Sequence, residues 1–163
     1  MPLVARVHGA ALGGGSGLLA LSDIVIATDD TQIGFTEARV GILPATIAPY
    51  VVRRIGIAAA RTLFLRAHRF DASEARRLGL VDEVVRPDAL DDVLRQRLDE
   101  LALGAASSHR ATKALLAQLA PLPDAAERRL TADAIARQRV GNDGQEGLRA
   151  FLEKRPPSWI RST

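Results

Sequence analysis

Up to about Phe35 the chain alternates short, β-branched apolar runs with turn residues; beyond Pro44 its apolar residues recur three and four apart. "LVARV" and "DIVIAT" predict strands, and "TQIGFTE" predicts a third. The glycine-rich "GGGSG" lies between the first two, followed by "SGLLALS", long enough for about two helical turns. In "PATIAPYVVRRIG" the positions Ile47, Val51 and Val52 share one side of a helix that Gly56 can cap, and "IAAARTLFLRAH" predicts a second helix. "DASEARRLGL" carries the clearest local signal: Asp71 or Ser73 caps, Glu74 stands three residues after Asp71, and Gly79 terminates. "VDEVV" predicts a short edge strand closed by Pro87, and "DALDDVLRQRLDELALG" places Leu90, Val93, Leu94, Leu98 and Leu101 on one stripe of an amphipathic helix. Helices near 106–119 and 124–140 flank "PLP", and "GQEGLRAFLEKRPPSW" predicts a last short helix stopped by Pro156–Pro157. So few strands fall short of the about five or six of an average sheet, which implies an α/β fold with part of its sheet missing.

Composition narrows the chemistry. The chain has 163 residues, 47% hydrophobic and 25% charged, ordinary values for a soluble globular domain. No apolar run approaches membrane-spanning length and "MPLVARVHG" lacks the pattern of a secretory signal, so the expected location is cytoplasmic, away from the membrane. There is no cysteine, hence no disulfide, thiolate ligand or thiol nucleophile. His8, His68 and His109 are scattered without ligand spacing, so no metal is expected. The net charge is +3, and Lys113 and Lys154 are the sole lysines. Because the arginines are dispersed and aromatics make up 4%, solvated helix faces account for the basic character better than a nucleic-acid surface does.

The glycine turn admits several readings. A linker fits poorly between apolar, structured segments. The dinucleotide spacing G-x-G-x-x-G fails because Leu18 stands where its last glycine would be, and there is no G-K-[ST] phosphate loop. What remains is a close-approach turn that lets a ligand touch backbone N–H groups at a helix start, or a turn that merely permits tight helix–strand packing. Glu37, in "FTEARVGILP", is either an exposed loop carboxylate or a general acid/base if that loop folds over a cleft.

"ARVHGAALGGGSGLLALSDIVIATDDTQIGFTEARVGILPA", "RFDASEARRLGLVDEVV" and the closing "EGLRAFLEKRPPSW" together resemble the enoyl-CoA hydratase/isomerase, or crotonase, superfamily. The resemblance implies a crotonase-like (ClpP/crotonase) α/β fold, a ββα superhelix lacking roughly its first third. On that basis residues 1–100 form a partial core and 101–163 a C-terminal helical trimerisation region. It further implies an acyl-CoA substrate, no separate cofactor because coenzyme A is part of the substrate, and a homotrimer or hexamer. Gly14 would supply an oxyanion-hole N–H and Glu37 the acid/base, with Gly13 beside it and Ala45 standing where a glycine is usual. Phe151 and Lys154 match positions that contact the CoA adenine and phosphates, although a solvated terminal helix explains them equally well. The family's other glutamate would fall at Gly17. The expected activity is therefore hydration of the 2,3 double bond through an enolate, with single-glutamate Δ3,Δ2-isomerisation or a catalytically impaired truncated subunit as alternatives.

Overall fold

A computed structural model describes residues 1–119 and 125–158. The chain opens with β1 (Val4–Val7), β2 (Ala10–Leu12), α1 (Gly14–Leu21), β3 (Ile24–Thr28) and β4 (Gln32–Gly34). After a 3-10 turn at Glu37–Val40 come α2 (Ala48–Arg66), β5 (Arg69–Asp71), α3 (Ala72–Arg77) and β6 (Glu83–Val85). Four helices complete it: α4 (Leu90–Ala102), α5 (Ala106–Leu119), α6 (Ala125–Val140) and α7 (Asn142–Leu152).

The strands form two small sheets. One is parallel, in the order β1-β3-β6; the other pairs β2 with β4 in parallel and β4 with β5 antiparallel. The three-residue strands β2 and β5 are absent from the sequence expectation, because a run that short carries no alternation to read. "TQIGFTE" is strand only as far as Gly34, and Glu37 enters a 3-10 turn instead.

Apolar β3 lies at the centre, where Val25, Ile26 and Ala27 are fully buried between covering layers. Phe35, Phe64 and Phe70 join it, with Phe35 and Phe64 edge to face at 5.1 Å. Helix α2 breaks at Gly56, whose φ of +79° and ψ of 157° suit glycine, so the two predicted helices meet at the predicted cap. The Asp71 side chain accepts the Glu74 N–H at 2.7 Å, as the capping signal required. Arg54 ties these pieces together, donating to the Gly79 and Ser22 carbonyls and to Asp82, which also accepts the Val25 N–H.

The proline-rich junction "PLP" lies outside the described residues. Helix α7 ends at Leu152, ahead of the Pro156–Pro157 pair, with Lys154 in the left-handed region at φ +54°. Arg155 then folds back onto Glu146 at 2.7 Å. That guanidinium, with the Ser158 N–H, holds the Glu146 carboxyl down at about 2. No helix among the described residues is long and apolar enough to cross a membrane.

Gly147 lets α7 lie directly on the 3-10 turn: a Cβ there would stand 3.0 Å from Gly41 N and closer still to the Val40 carbonyl. Backbone cannot yield as a flexible side chain can. Gly147→Ala should therefore lower stability by about 1–3 kcal/mol, an overpacking cost measurable by denaturant unfolding.

Candidate active site

The glycine turn joins β2 directly to α1. Gly13 has φ +54° and ψ −121°, a conformation effectively reserved for glycine, and its N–H is committed to the Gly34 carbonyl at 2.8 Å. Gly14 is the first residue of α1, and its N–H makes no hydrogen bond among the described residues. Beneath them Ser16, fully buried, holds its hydroxyl 2.6 Å from the Ala11 carbonyl and 2.9 Å from that of Gly34. Its oxygen also accepts the Gly34 N–H at 3.3 Å. The turn is thus stitched to β4, and β4 leads within three residues to Glu37.

Gly14, Glu37 and Ala45 face one cavity of about 250 Å³. Ile42, Leu43, Pro44, Ile47 and, from α6, Ile135 give it a mostly apolar lining, with Thr46 the one further polar side chain among the described residues. Glu37 is half-buried, and its Oε2 is fully enclosed with no hydrogen-bond partner among the described residues. Loss of water around the carboxyl pushes its pKa above the ordinary 4.5, a shift partly offset by the hydrogen bond from its own backbone N–H. An acid kept neutral more readily than usual, beside an unpaired N–H at a helix start, can pass a proton next to a developing oxyanion.

Gly13 borders the same group: a Cβ on it would lie 3.6 Å from Glu37 Oε1. Phe151 and Lys154 sit apart. Neither lines the cavity, and Phe151 is 68% exposed. Among the described residues no cluster of His, Asp and Glu is arranged to hold a metal.

The sequence reading missed Ile47 and Ile135. Helical spacing predicts Ile47 on a helix face, yet α2 starts at Ala48 and the Ile47 side chain packs against Gly17. A Cβ on Gly17 would fall 2.8 Å from Ile47 Cβ and nearer still to Cγ2. The place where a second carboxylate was considered is filled by isoleucine. A glycine followed about thirty residues later by a bulky loop residue is the one trace of this in the sequence, and it has no period to betray it.

Two small sheets, one parallel and one mixed, with a glycine turn opening a helix and an acidic turn facing the same cavity define a crotonase-like α/β protein. The enoyl-CoA hydratase/isomerase family profile matches residues 1–162. A candidate enoyl-CoA hydratase of Thermus thermophilus is 38% identical over 156 residues, covering 96% of this chain and 62% of that protein. The (E)-benzylidenesuccinyl-CoA hydratase of Thauera aromatica is 33% identical, over 97% of this chain and 62% of that protein. Among solved structures, an enoyl-CoA hydratase from Mycobacterium avium superposes with a TM-score of 0.84 at 30% identity, covering 98% of this chain and 63% of that one. The chain belongs to the enoyl-CoA hydratase/isomerase family, and it spans less than two thirds of the length of these relatives.

A raised Glu37 pKa means that the folded chain holds this proton more tightly than the unfolded chain. Stability therefore falls as pH rises from about 4.5 through the folded-state value, and stays at the lower level above it. Glu37→Gln, which cannot ionise, should raise Tm relative to wild type near neutral pH, with the gain shrinking as pH falls through the folded-state value and gone below about pH 4.5. Thermal unfolding across pH measures this.

Proposed function

We propose that the cavity handles an acyl-CoA thioester and adds water to the 2,3 double bond of its acyl group. In this reading the Gly14 N–H holds the thioester oxygen. The Glu37 carboxylate takes a proton from water as its oxygen bonds to C3, and the π electrons move through C2 onto the thioester oxygen. The carboxyl then returns its proton to C2 as the enolate collapses. Coenzyme A enters as part of the substrate, and no separate cofactor takes part. One well-placed N–H facing that oxyanion contributes about 3–4 kcal/mol. The observation that carries the reading is the enclosed, unpartnered Glu37 Oε2 in the same cavity as the free Gly14 N–H. The hydratase names of the relatives support it.

A second reading, Δ3,Δ2-enoyl isomerisation, is favoured by one fact: Glu37 is the single ionisable side chain lining the cavity among the described residues. One carboxyl suffices to carry a proton from C2 to C4. Phe151 and Lys154 belong to the proposal as outer contacts for the nucleotide end of CoA. Self-association as trimers belongs to it too, supported by the exposed apolar Leu18, Leu21 and Ile57 on α1 and α2.

Purified chain offered crotonyl-CoA and 3-hexenoyl-CoA separates the readings. Hydration of the first supports the hydratase, turnover of the second alone supports the isomerase, and turnover of neither overturns both. Glu37→Gln should lower kcat by about 10²–10⁴-fold with little change in KM. The acid limb of the wild-type kcat/KM profile should lie above the ordinary carboxylate range, because the base must ionise in a desolvated place.

A further inference from the structure

Gly14 and Gly17 lie three residues apart on α1, so they present to the same side of the helix, one turn from each other. Gly14 carries the free N–H. Gly17 carries no side chain, and the space beside it is taken by Ile47 from the loop ahead of α2. Ile47 also lines the cavity that holds Glu37. An acyl group whose carbonyl oxygen meets the Gly14 N–H therefore runs, within its first few carbons, past the Ile47 side chain.

We infer that Ile47, seated against Gly17, is the specificity-determining residue for the part of the acyl group nearest the thioester. This rests on the acyl-CoA reading above. The pair is complementary in size: glycine at 17 makes room for a branched side chain at 47, and that side chain sets the width of the cavity beside the helix start. Ile47 contributes hydrocarbon and no hydrogen-bonding group to the cavity lining, so selection by this side chain works by volume. A pocket wall of this kind discriminates by about tenfold or more per group fitted or refused. Its effect should be confined to bulk near the third carbon and leave the nucleotide end of the ligand untouched.

Titration calorimetry with butyryl-CoA and 3-phenylpropanoyl-CoA tests this without requiring turnover. Ile47→Ala should shift the affinity ratio of the two by about tenfold toward the phenyl compound, and Ile47→Val should shift it by a smaller amount in the same direction. The valine variant keeps the test decisive if the alanine variant folds poorly. An unchanged ratio in both variants overturns the inference and leaves the acyl-CoA reading standing. Failure of wild type to bind either thioester overturns the reading and the inference with it. The packing half is checked separately by unfolding: Gly17→Ala should destabilise the chain, and adding Ile47→Gly should recover most of the loss. A Gly17→Ala chain as stable as wild type refutes the size-complementary pair.

Discussion

The candidate site depends on how the backbone of one residue, Gly34, is used on both its N–H and its carbonyl side. Its carbonyl accepts the Gly13 N–H and faces the Ser16 hydroxyl, and its N–H reaches the Ser16 oxygen. Glycine also fits closely there: a Cβ would press at 3.3 Å on the His68 carbonyl and on Leu12, which would have to give by a few tenths of an ångström. Gly13 precedes the residue with the free N–H, and Gly34 precedes the acidic turn by a short stretch of chain. These hydrogen bonds are buried, where leaving one unmade costs about 1–3 kcal/mol. Donor and carboxyl are consequently placed by one shared set of hydrogen bonds.

That placement sets up an electrostatic contest at Glu37. The N-terminus of α1 carries partial positive charge and no acidic side chain in its first turn to neutralise it. Such a field, worth about 0.3–1 kcal/mol at exposed sites, favours the ionised carboxylate. Enclosure by Ile42, Leu43, Ile47 and Ile135 works the other way, and burial dominates the shift. Burial thus outweighs the helix start, and the Glu37 carboxyl is held above the ordinary carboxylate value.

Local signals in the sequence were the ones that could be read. The Gly56 break, the Asp71 cap, the amphipathic run of α4 and the buried strand "DIVIAT" each rest on residues within one element, and each stands where the pattern put it. The glycine turn and Glu37 were singled out one by one for their residue types. What a single strand of text does not carry is pairing across distance. Ser16 reads as one more small residue of "GGGSG" until β4 is laid beside it. Ile47 reads as the start of a helix face until Gly17 is seen to make room for it. β2 and β5 exist because β4 lies between them, not because three residues prefer to be extended.

The C-terminal helices extend the same logic to the far side of the cavity. Gly147 allows α7 to press on the Val40–Gly41 backbone, and Gln138 from α6 donates to the Gly41 carbonyl at 2.8 Å. Gly144 lets the two helices approach each other closely enough for both contacts to be made at once. The turn that begins with Glu37 is thereby fastened at both ends, to β4 before it and to α6 and α7 after it. With Ile135 from α6 in the cavity wall, the same helix that steadies the acidic turn also keeps water from the carboxyl. Placement and enclosure of Glu37 thus share one cause: a change near position 140 that loosened α6 would open the cavity around the Glu37 carboxyl without touching it.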